Sequence, residues 1–289
     1  MNLKKLAADY LGLGEHIDVP YSKKLTGGKT INILKYSGLV SVVKRRSSKK
    51  ISEEWNKNYG KDKNYNPKIP AIISRVTYTA ETIASKINLR SKSLVDLGAG
   101  DGVLLKILKD KKLLKKLFGV EPSQKNCEQI KKYKIKSYTG TIEEFASSTN
   151  KKFDIGTILW TLCACSDPTE IIKSASKVLK SDGYLVIAEG SRILVPYKKP
   201  IQMYFGSKQA PDLHPFHFSK NSLVNLLALN KFKTVFINRY IDTDYLVVIA
   251  KKVKSVPKRD IKLDDYKKVK SFFKDWYKLS QKYKKEIIT

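Results

Sequence analysis

The residues best placed to do chemistry lie in one short stretch, "SLVDLGAGDGVLLKIL", Ser93 to Leu108. An apolar run stops at Asp96 and Leu97, glycines follow at 98, 100 and 102, and an apolar-periodic segment begins. Glycine lacks a Cβ, so such a loop can turn sharply and bring its backbone against a ligand. A helix starting near Gly102 would point its amide end at that ligand. Asp96 would be a fixed acceptor at the end of a strand. A dinucleotide is a poor match, because its fingerprint wants glycine or alanine three residues after the second glycine, and Val103 stands there. A positively charged group suits the surroundings of Asp96 better than a pyrophosphate. Glu121 follows 19 residues after Gly102, at the end of "LFGVE". An acid at that point can accept hydrogen bonds from both hydroxyls of a ribose.

Other reactive side chains are few. The three histidines are His16, His214 and His217, and the three cysteines are Cys127, Cys163 and Cys165. No CxxC pair exists, which leaves too few thiols for a disulfide framework or a closed zinc site. No metal is expected, and a reducing, cytoplasmic setting fits best. Cys163 and Cys165 raise the covalent chemistry of cytosine-C5 modification. The simpler reading is two small apolar residues at a strand end.

The elements that must position these residues alternate regularly. Strand-like runs are "SLVDL", "LFGVE", "IKSY", "FDIGTILW", "GYLVIAE", "KTVFINRY" and "YLVVIAKK"; helix-like runs cover 102–116, 123–133, 168–180 and 219–230. Alternation of this kind predicts a parallel, doubly wound α/β sheet with ligands outside the carboxyl ends of its strands. The last two strands are separated by too few residues for a helical crossover, so they must pair antiparallel. Residues 1–68 read as an N-terminal extension with a hairpin around Tyr36-Ser37-Gly38, separable from a core domain over 69–252. Ser52, followed by Glu53 and Glu54, suits a short helix start. The tail, 253–289, places Leu263, Tyr266, Val269, Phe273, Trp276 and Tyr283 at helical spacing among lysines and reads as an amphipathic helix. It could pack on its own chain, on a second copy, or on an anionic surface. No apolar run approaches the ~18 residues of a membrane span.

The formal charge is +30 over 289 residues. Such a charge invites a nucleic-acid reading. Only seven of the 57 basic residues are Arg, however, and phosphate and base-edge recognition favours the arginine fork. A solvated lysine surface, or attraction of an anionic small substrate, is the preferred reading; nucleic acid is disfavoured. A homodimer is compatible with the tail.

"DLGAGDG" resembles the D/E-x-G-x-G-x-G loop of the class I S-adenosylmethionine-dependent methyltransferases at every defined position. "GVEPS" is similar to that family's ribose-binding strand end and "GTIEEF", Gly140 to Phe145, to its third motif. The resemblance covers roughly residues 70–252. It implies strand order 3-2-1-4-5-7-6 with strand 7 antiparallel, and S-adenosylmethionine as cofactor. It further implies that Asp96, Gly98, Ala99, Gly100 and Gly102 hold the methionine end and that Glu121 and Pro122 serve the ribose. Thr141 and Ile142 would flank the adenine, with Trp160 at the end of the fourth strand. The fourth strand is not followed by D/N/S-P-P-Y/F, which disfavours the amino-methylating nucleic-acid enzymes. "HPFHFS", His214 to Ser219, resembles a segment of a branch that methylates sugars, nucleotide sugars and other small metabolites. There His214 takes the place of an acid/base histidine, with His217 beside it; Pro211 falls where that branch has Tyr. "LKYSGLVSV" and "SEEWNKNYGKDKNY" keep the outline of that branch's zinc ribbon without its thiols. Tyr59 and Tyr65 are expected to fold over the cofactor as a lid. The expected activity is methyl transfer to a small metabolite, foremost a sugar or nucleotide sugar; the alternative is an RNA or protein methyltransferase that grips a polymer with its basic extensions.

Overall fold

The computed structural model of the chain describes residues 2–19, 30–42, 47–58, 70–190, 193–195, 215–239 and 245–286. The N-terminal part contains helix α1 (Leu3–Tyr10), strands β1 (His16–Asp18), β2 (Ile31–Leu34) and β3 (Val40–Val42), and helices α2 (Ser48–Asn58) and α3 (Pro70–Lys86). Strands and helices then alternate: β4 (Ser93–Leu97), α4 (Val103–Asp110), β5 (Lys116–Glu121), α5 (Gln124–Lys132), β6 (Lys136–Thr139), α6 (Ile142–Ser148), β7 (Phe153–Leu159), α7 (Pro168–Val178) and β8 (Leu179–Glu189). The chain continues through β9 (Phe216–His217), α8 (Lys220–Leu229), β10 (Phe232–Ile237), β11 (Leu246–Lys252) and α9 (Tyr266–Glu286).

Seven strands form one sheet in the order β10-β11-β8-β7-β4-β5-β6. Pairings among β4, β5, β6, β7 and β8 are parallel, and β11 runs antiparallel to both β8 and β10. Counted along the chain, that order is 3-2-1-4-5-7-6, as the resemblance implied. The middle strands are apolar on both faces because helices cover both: Leu94, Val95, Ile155, Ile158, Val186 and Ile187 are fully buried. Helix starts follow local chemistry. The Asp167 carboxylate accepts the amides of Thr169 and Glu170 ahead of Pro168, and Ser219 forms a capping box with Ser222.

A second, four-stranded antiparallel sheet has the order β1-β2-β3-β9. The hairpin read from the sequence is β2–β3, and β9 joins it with Val40 opposite His217 and Ser41 opposite Phe216. Residues far along the chain thus complete the N-terminal sheet. Helix α1 sinks Leu6 and Tyr10 into the main core, and the Tyr10 hydroxyl donates to the Ser222 carbonyl at 2.6 Å. Helix α9 buries Val269, Phe273 and Trp276 against Val19, Ile31, Ile33 and Val40. The amphipathic tail therefore packs on its own chain, while Leu263 stays exposed. Truncating Phe273 to Ala should lower unfolding stability by about 3–5 kcal/mol, the usual cost of deleting a fully buried ring. Urea denaturation monitored by Trp fluorescence measures it, and an unchanged midpoint would mean α9 does not hold the fold.

Two helix boundaries differ by several residues from the sequence reading. Helix α4 stops at Asp110 because Lys112 is left-handed, at φ +55°, well short of residue 116. Helix α2 begins at Ser48, before Ser52. Helix α6 was not foreseen.

Candidate functional site

The loop after β4 is left-handed at each glycine, with φ +81° at Gly98, +54° at Gly100 and +81° at Gly102. These are conformations that side chains rarely tolerate. A Cβ at Gly98 would lie 2.3 Å from Thr161 Oγ1, and one at Gly102 would lie 2.7 Å from Ile130 Cγ1. The loop is thus pressed between the turn after β7 and helix α5. The Gly98 and Ala99 amides both donate to the Val120 carbonyl, at 2.8 and 3.0 Å, which fixes the loop's start beside the end of β5.

Glu121, the last residue of β5, is buried and strung across this loop. Its Oε2 accepts the Gly100 amide at 3.0 Å, and its Oε1 accepts the Ser123 amide at 3.0 Å and Asn126 Nδ2 at 3.2 Å. Burial pushes its carboxyl up from the ordinary range, and these three donors pull it back. A carboxylate has about four lone-pair sites; three are taken, so acceptor capacity on Oε2 remains for a ligand's hydroxyl.

Asp96 is buried at the carboxyl end of β4. The Thr157 hydroxyl on neighbouring β7 donates to its Oδ1 at 2.6 Å. Burial drives the Asp96 carboxyl up to about 7, Thr157 lowers it, and the Glu121 charge adds to the rise. The folded chain thus holds this proton more tightly than the unfolded chain, whose value is near 3.8. Two opposed pH effects follow. Its contribution to stability is lost as pH climbs from about 4 to about 7, because the unfolded state then binds fewer protons. A ligand carrying an ammonium group needs the ionised form, so its affinity should rise about tenfold between pH 6 and 8. Calorimetric titration with S-adenosylhomocysteine across that range measures the rise, and Asp96→Asn should abolish it. A flat profile in the unaltered protein would separate Asp96 from the ligand's charge.

The remaining anticipated contacts lie on the same rim. Pro122 follows Glu121 directly. Thr141 spends its hydroxyl on helix α6: it accepts the Glu144 amide at 3.2 Å, and the Glu144 carboxylate accepts the Thr141 amide at 2.8 Å. Its backbone and the buried Ile142 are what it can offer an adenine. Trp160 directly follows β7 with φ +53°, a strained state for a bulky side chain of the kind found at ligand sites. Its amide donates to the Ala188 carbonyl at 2.7 Å, and its ring meets that of Tyr245 at 5.9 Å. The indole N–H is buried with no hydrogen-bond partner among the described residues.

The turn after β7 links the two sheets. Glu189, fully buried at the end of β8, accepts the Leu162 amide at 3.0 Å and the Cys163 amide at 3.3 Å. The Phe216 amide donates to the Cys163 carbonyl at 3.2 Å. That bond brings β9, and with it the N-terminal sheet, to the carboxyl ends of the main strands. His217 is fully buried in β9. The start of α2 docks nearby: the Ser48 hydroxyl lies 3.1 Å from Glu143 Oε1 and 2.6 Å from Ser166 Oγ. Cys163 and Cys165 are buried and unbridged. Among the described residues no cluster of His, Cys, Asp and Glu could hold a metal ion, and no helix could cross a membrane. His214, Tyr59 and Tyr65 lie outside the described residues.

The structure brings Asp96, the glycine loop, Glu121, Pro122, Thr141, Ile142 and Trp160 to one edge. It adds residues that sequence reasoning missed: Thr157, Asn126, Ser123, Ser48 and Glu189. Two of these had a signal. Thr157 is a polar residue within an apolar strand, and Glu189 ends an apolar run much as Asp96 does.

Residues 95–187 match the model of a methyltransferase domain. A curated relative, ubiquinone biosynthesis O-methyltransferase of Pelagibacter ubique, is 30% identical over 162 residues, which cover 51% of this chain and 64% of that protein. The chain therefore spans less than two thirds of the relative's length. Among solved structures, a chain of the complex between the Haloferax volcanii Trm112 methyltransferase activator and a methyltransferase superposes with TM-score 0.54 at 14% identity, over 70% of this chain and 97% of that one. Magnesium protoporphyrin IX methyltransferase of Synechocystis with bound S-adenosylhomocysteine superposes with TM-score 0.53 at 13% identity, over 71% and 100%. At these identities the solved structures bear on the fold.

Proposed function

We propose that the protein, whose residues 95–187 match the model of a methyltransferase domain, transfers a methyl group from S-adenosylmethionine to a small, oxygen-rich metabolite, foremost a sugar or nucleotide sugar. S-adenosylmethionine supplies an electrophilic methyl on a sulfonium, and transfer is an in-line displacement that depends mainly on alignment. The residues present fit such a ligand. The glycine loop offers backbone where a Cβ would clash, ionised Asp96 suits the methionine ammonium, and Glu121 has acceptor capacity for a ribose hydroxyl. Ile142 and Trp160 supply apolar walls.

One observation supports the small-metabolite reading: the Phe216–Cys163 hydrogen bond, which ties the N-terminal sheet to the turn after β7. A second sheet beside the carboxyl ends of the main strands favours an enclosed acceptor over an open polymer groove. The kinship to an O-methyltransferase of ubiquinone biosynthesis also supports an acceptor oxygen on a small molecule. On this reading His217, or His214 four residues before Phe218, supplies the acid/base group that removes the acceptor's proton. Tyr59 and Tyr65 close the pocket, and the buried, unbridged cysteines suit a reducing cytoplasm.

The test is transfer of labelled methyl into fractionated cell extract. Label should enter the soluble, sugar-containing fraction and not RNA, and His214→Asn should lower kcat with little change in cofactor affinity. Label recovered in RNA or protein alone would favour the polymer reading.

A further inference from the structure

A second concave site lies at the opposite end of the main sheet, outside anything the methyl-transfer reading uses. It is a cleft of about 500 Å³ at the amino-terminal ends of β5 and β6. Its floor is aromatic. Phe118 of β5 stacks on Phe145 of α6 at 5.4 Å between ring centres, and Tyr138 of β6 meets Phe145 at 5.3 Å. Tyr138 is the partly open ring, while Phe118 and Phe145 are buried beneath it. Its walls are cationic. Lys131, Lys134, Lys136 and Lys151 line the cleft, and no Asp or Glu does. Among the described residues none of these four lysines has a carboxylate within ion-pair distance, whereas Lys106, Lys111 and Lys180 elsewhere do. Lys151 Nζ sits 4.8 Å above the Phe118 ring, a cation–π contact in place of an acid.

Lys131, Lys134 and Lys136 come from one short basic run, "KKYKIK", that ends α5 and starts β6, and Lys151 comes from the approach to β7. The fold brings that fourth lysine to the run. Like charges converging on one cleft repel one another, and an anion relieves that repulsion. Lysine is a point-charge partner for phosphate, and a planar apolar body can lie on an aromatic floor. The volume falls within the range of small-molecule sites.

We propose that this cleft binds a phosphate-bearing metabolite with an aromatic or apolar body, of about mononucleotide size, at a site separate from the methyl-donor pocket. The binding group is the phosphate; its source, a soluble metabolite or a lipid headgroup, is separated by the test. The full chain, saturated with S-adenosylhomocysteine to fill the donor pocket, is titrated with 1-naphthyl phosphate at low salt. Saturable binding below about 1 mM is expected, weakening steeply at physiological salt. The double variant Lys134→Glu/Lys136→Glu should bind at least about tenfold more weakly, the loss of two charge-assisted contacts. A charge-matched control far from the cleft, Lys220→Glu/Lys233→Glu, should stay within about twofold of the unaltered protein, since distant charges are screened. Tyr138→Ala should weaken naphthyl phosphate more than inorganic phosphate. No saturable binding, equal loss in the two double variants, or binding seen only when S-adenosylhomocysteine is left out would overturn the proposal. So would binding to phosphatidylglycerol vesicles without binding to soluble naphthyl phosphate. Unchanged circular dichroism of both double variants secures that the comparison is between folded proteins.

Discussion

Replacing Glu121 with Ala should weaken S-adenosylmethionine binding at least about tenfold. One charge-assisted hydrogen bond to a ribose contributes about 1.5–3 kcal/mol, and 1.4 kcal/mol corresponds to tenfold. A further loss comes from the loop itself, because Glu121 also holds the Gly100 amide, the Ser123 amide and Asn126. Glu121→Gln separates the two contributions. It keeps a side-chain acceptor for the loop and gives up the charge, so it should lose less affinity than Ala. Calorimetric titration of both variants decides the matter. If Glu121→Ala binds as tightly as the unaltered protein, the ribose is held elsewhere.

Deleting residues 1–68 should yield a protein that does not stay folded and soluble at moderate temperature. The sequence alone suggests a separable extension, whose loss would leave a folded sheet domain without activity. The packing points to a larger effect. Leu6, Tyr10, Leu34 and Leu39 belong to the main core. Ile31, Ile33 and Val40 cover the apolar face of α9. Fully burying one such side chain is worth about 1.5–3 kcal/mol, and net domain stability is only about 5–15 kcal/mol. Removing several at once should therefore exceed the available stability. Size-exclusion chromatography and thermal melting of the truncated chain measure the outcome. A monomer with an unchanged melting point would show that the two sheets are energetically independent.

The parts legible in the sequence were those in which residue type and position are set together. Asp96, the three glycines and Glu121 could be read because a strand end, a left-handed loop and a carboxylate each demand particular side chains. The antiparallel last pair was readable because chain length forbade a crossover. The joining of β9 to the N-terminal hairpin was not readable. Two residues carry no periodicity, and their partners Val40 and Ser41 lie far back in the sequence. Helix α6 did leave a trace: "TIEE" is a capping box, and Thr141 and Glu144 use it. At seven residues the helix is too short for its apolar spacing to stand out. The overlong reading of α4 has a different origin. "KDKKLLKK" offers no glycine or proline to stop a helix, and the turn there rests on a lysine in a left-handed state.

The shared strand also sets a schedule for biosynthesis. The hairpin β2–β3 leaves the ribosome well before its neighbour β9 and its covering helix α9. At about 5–20 residues per second, the edge of β3 waits on the order of ten to forty seconds for Phe216 and His217. During that interval Ile31, Ile33 and Val40, all buried in the finished protein, have no lasting cover. An uncovered strand edge with apolar neighbours is a template for pairing with other chains. Slow or crowded translation should therefore raise the fraction lost to aggregation, and chaperones that hold nascent apolar segments should reduce it.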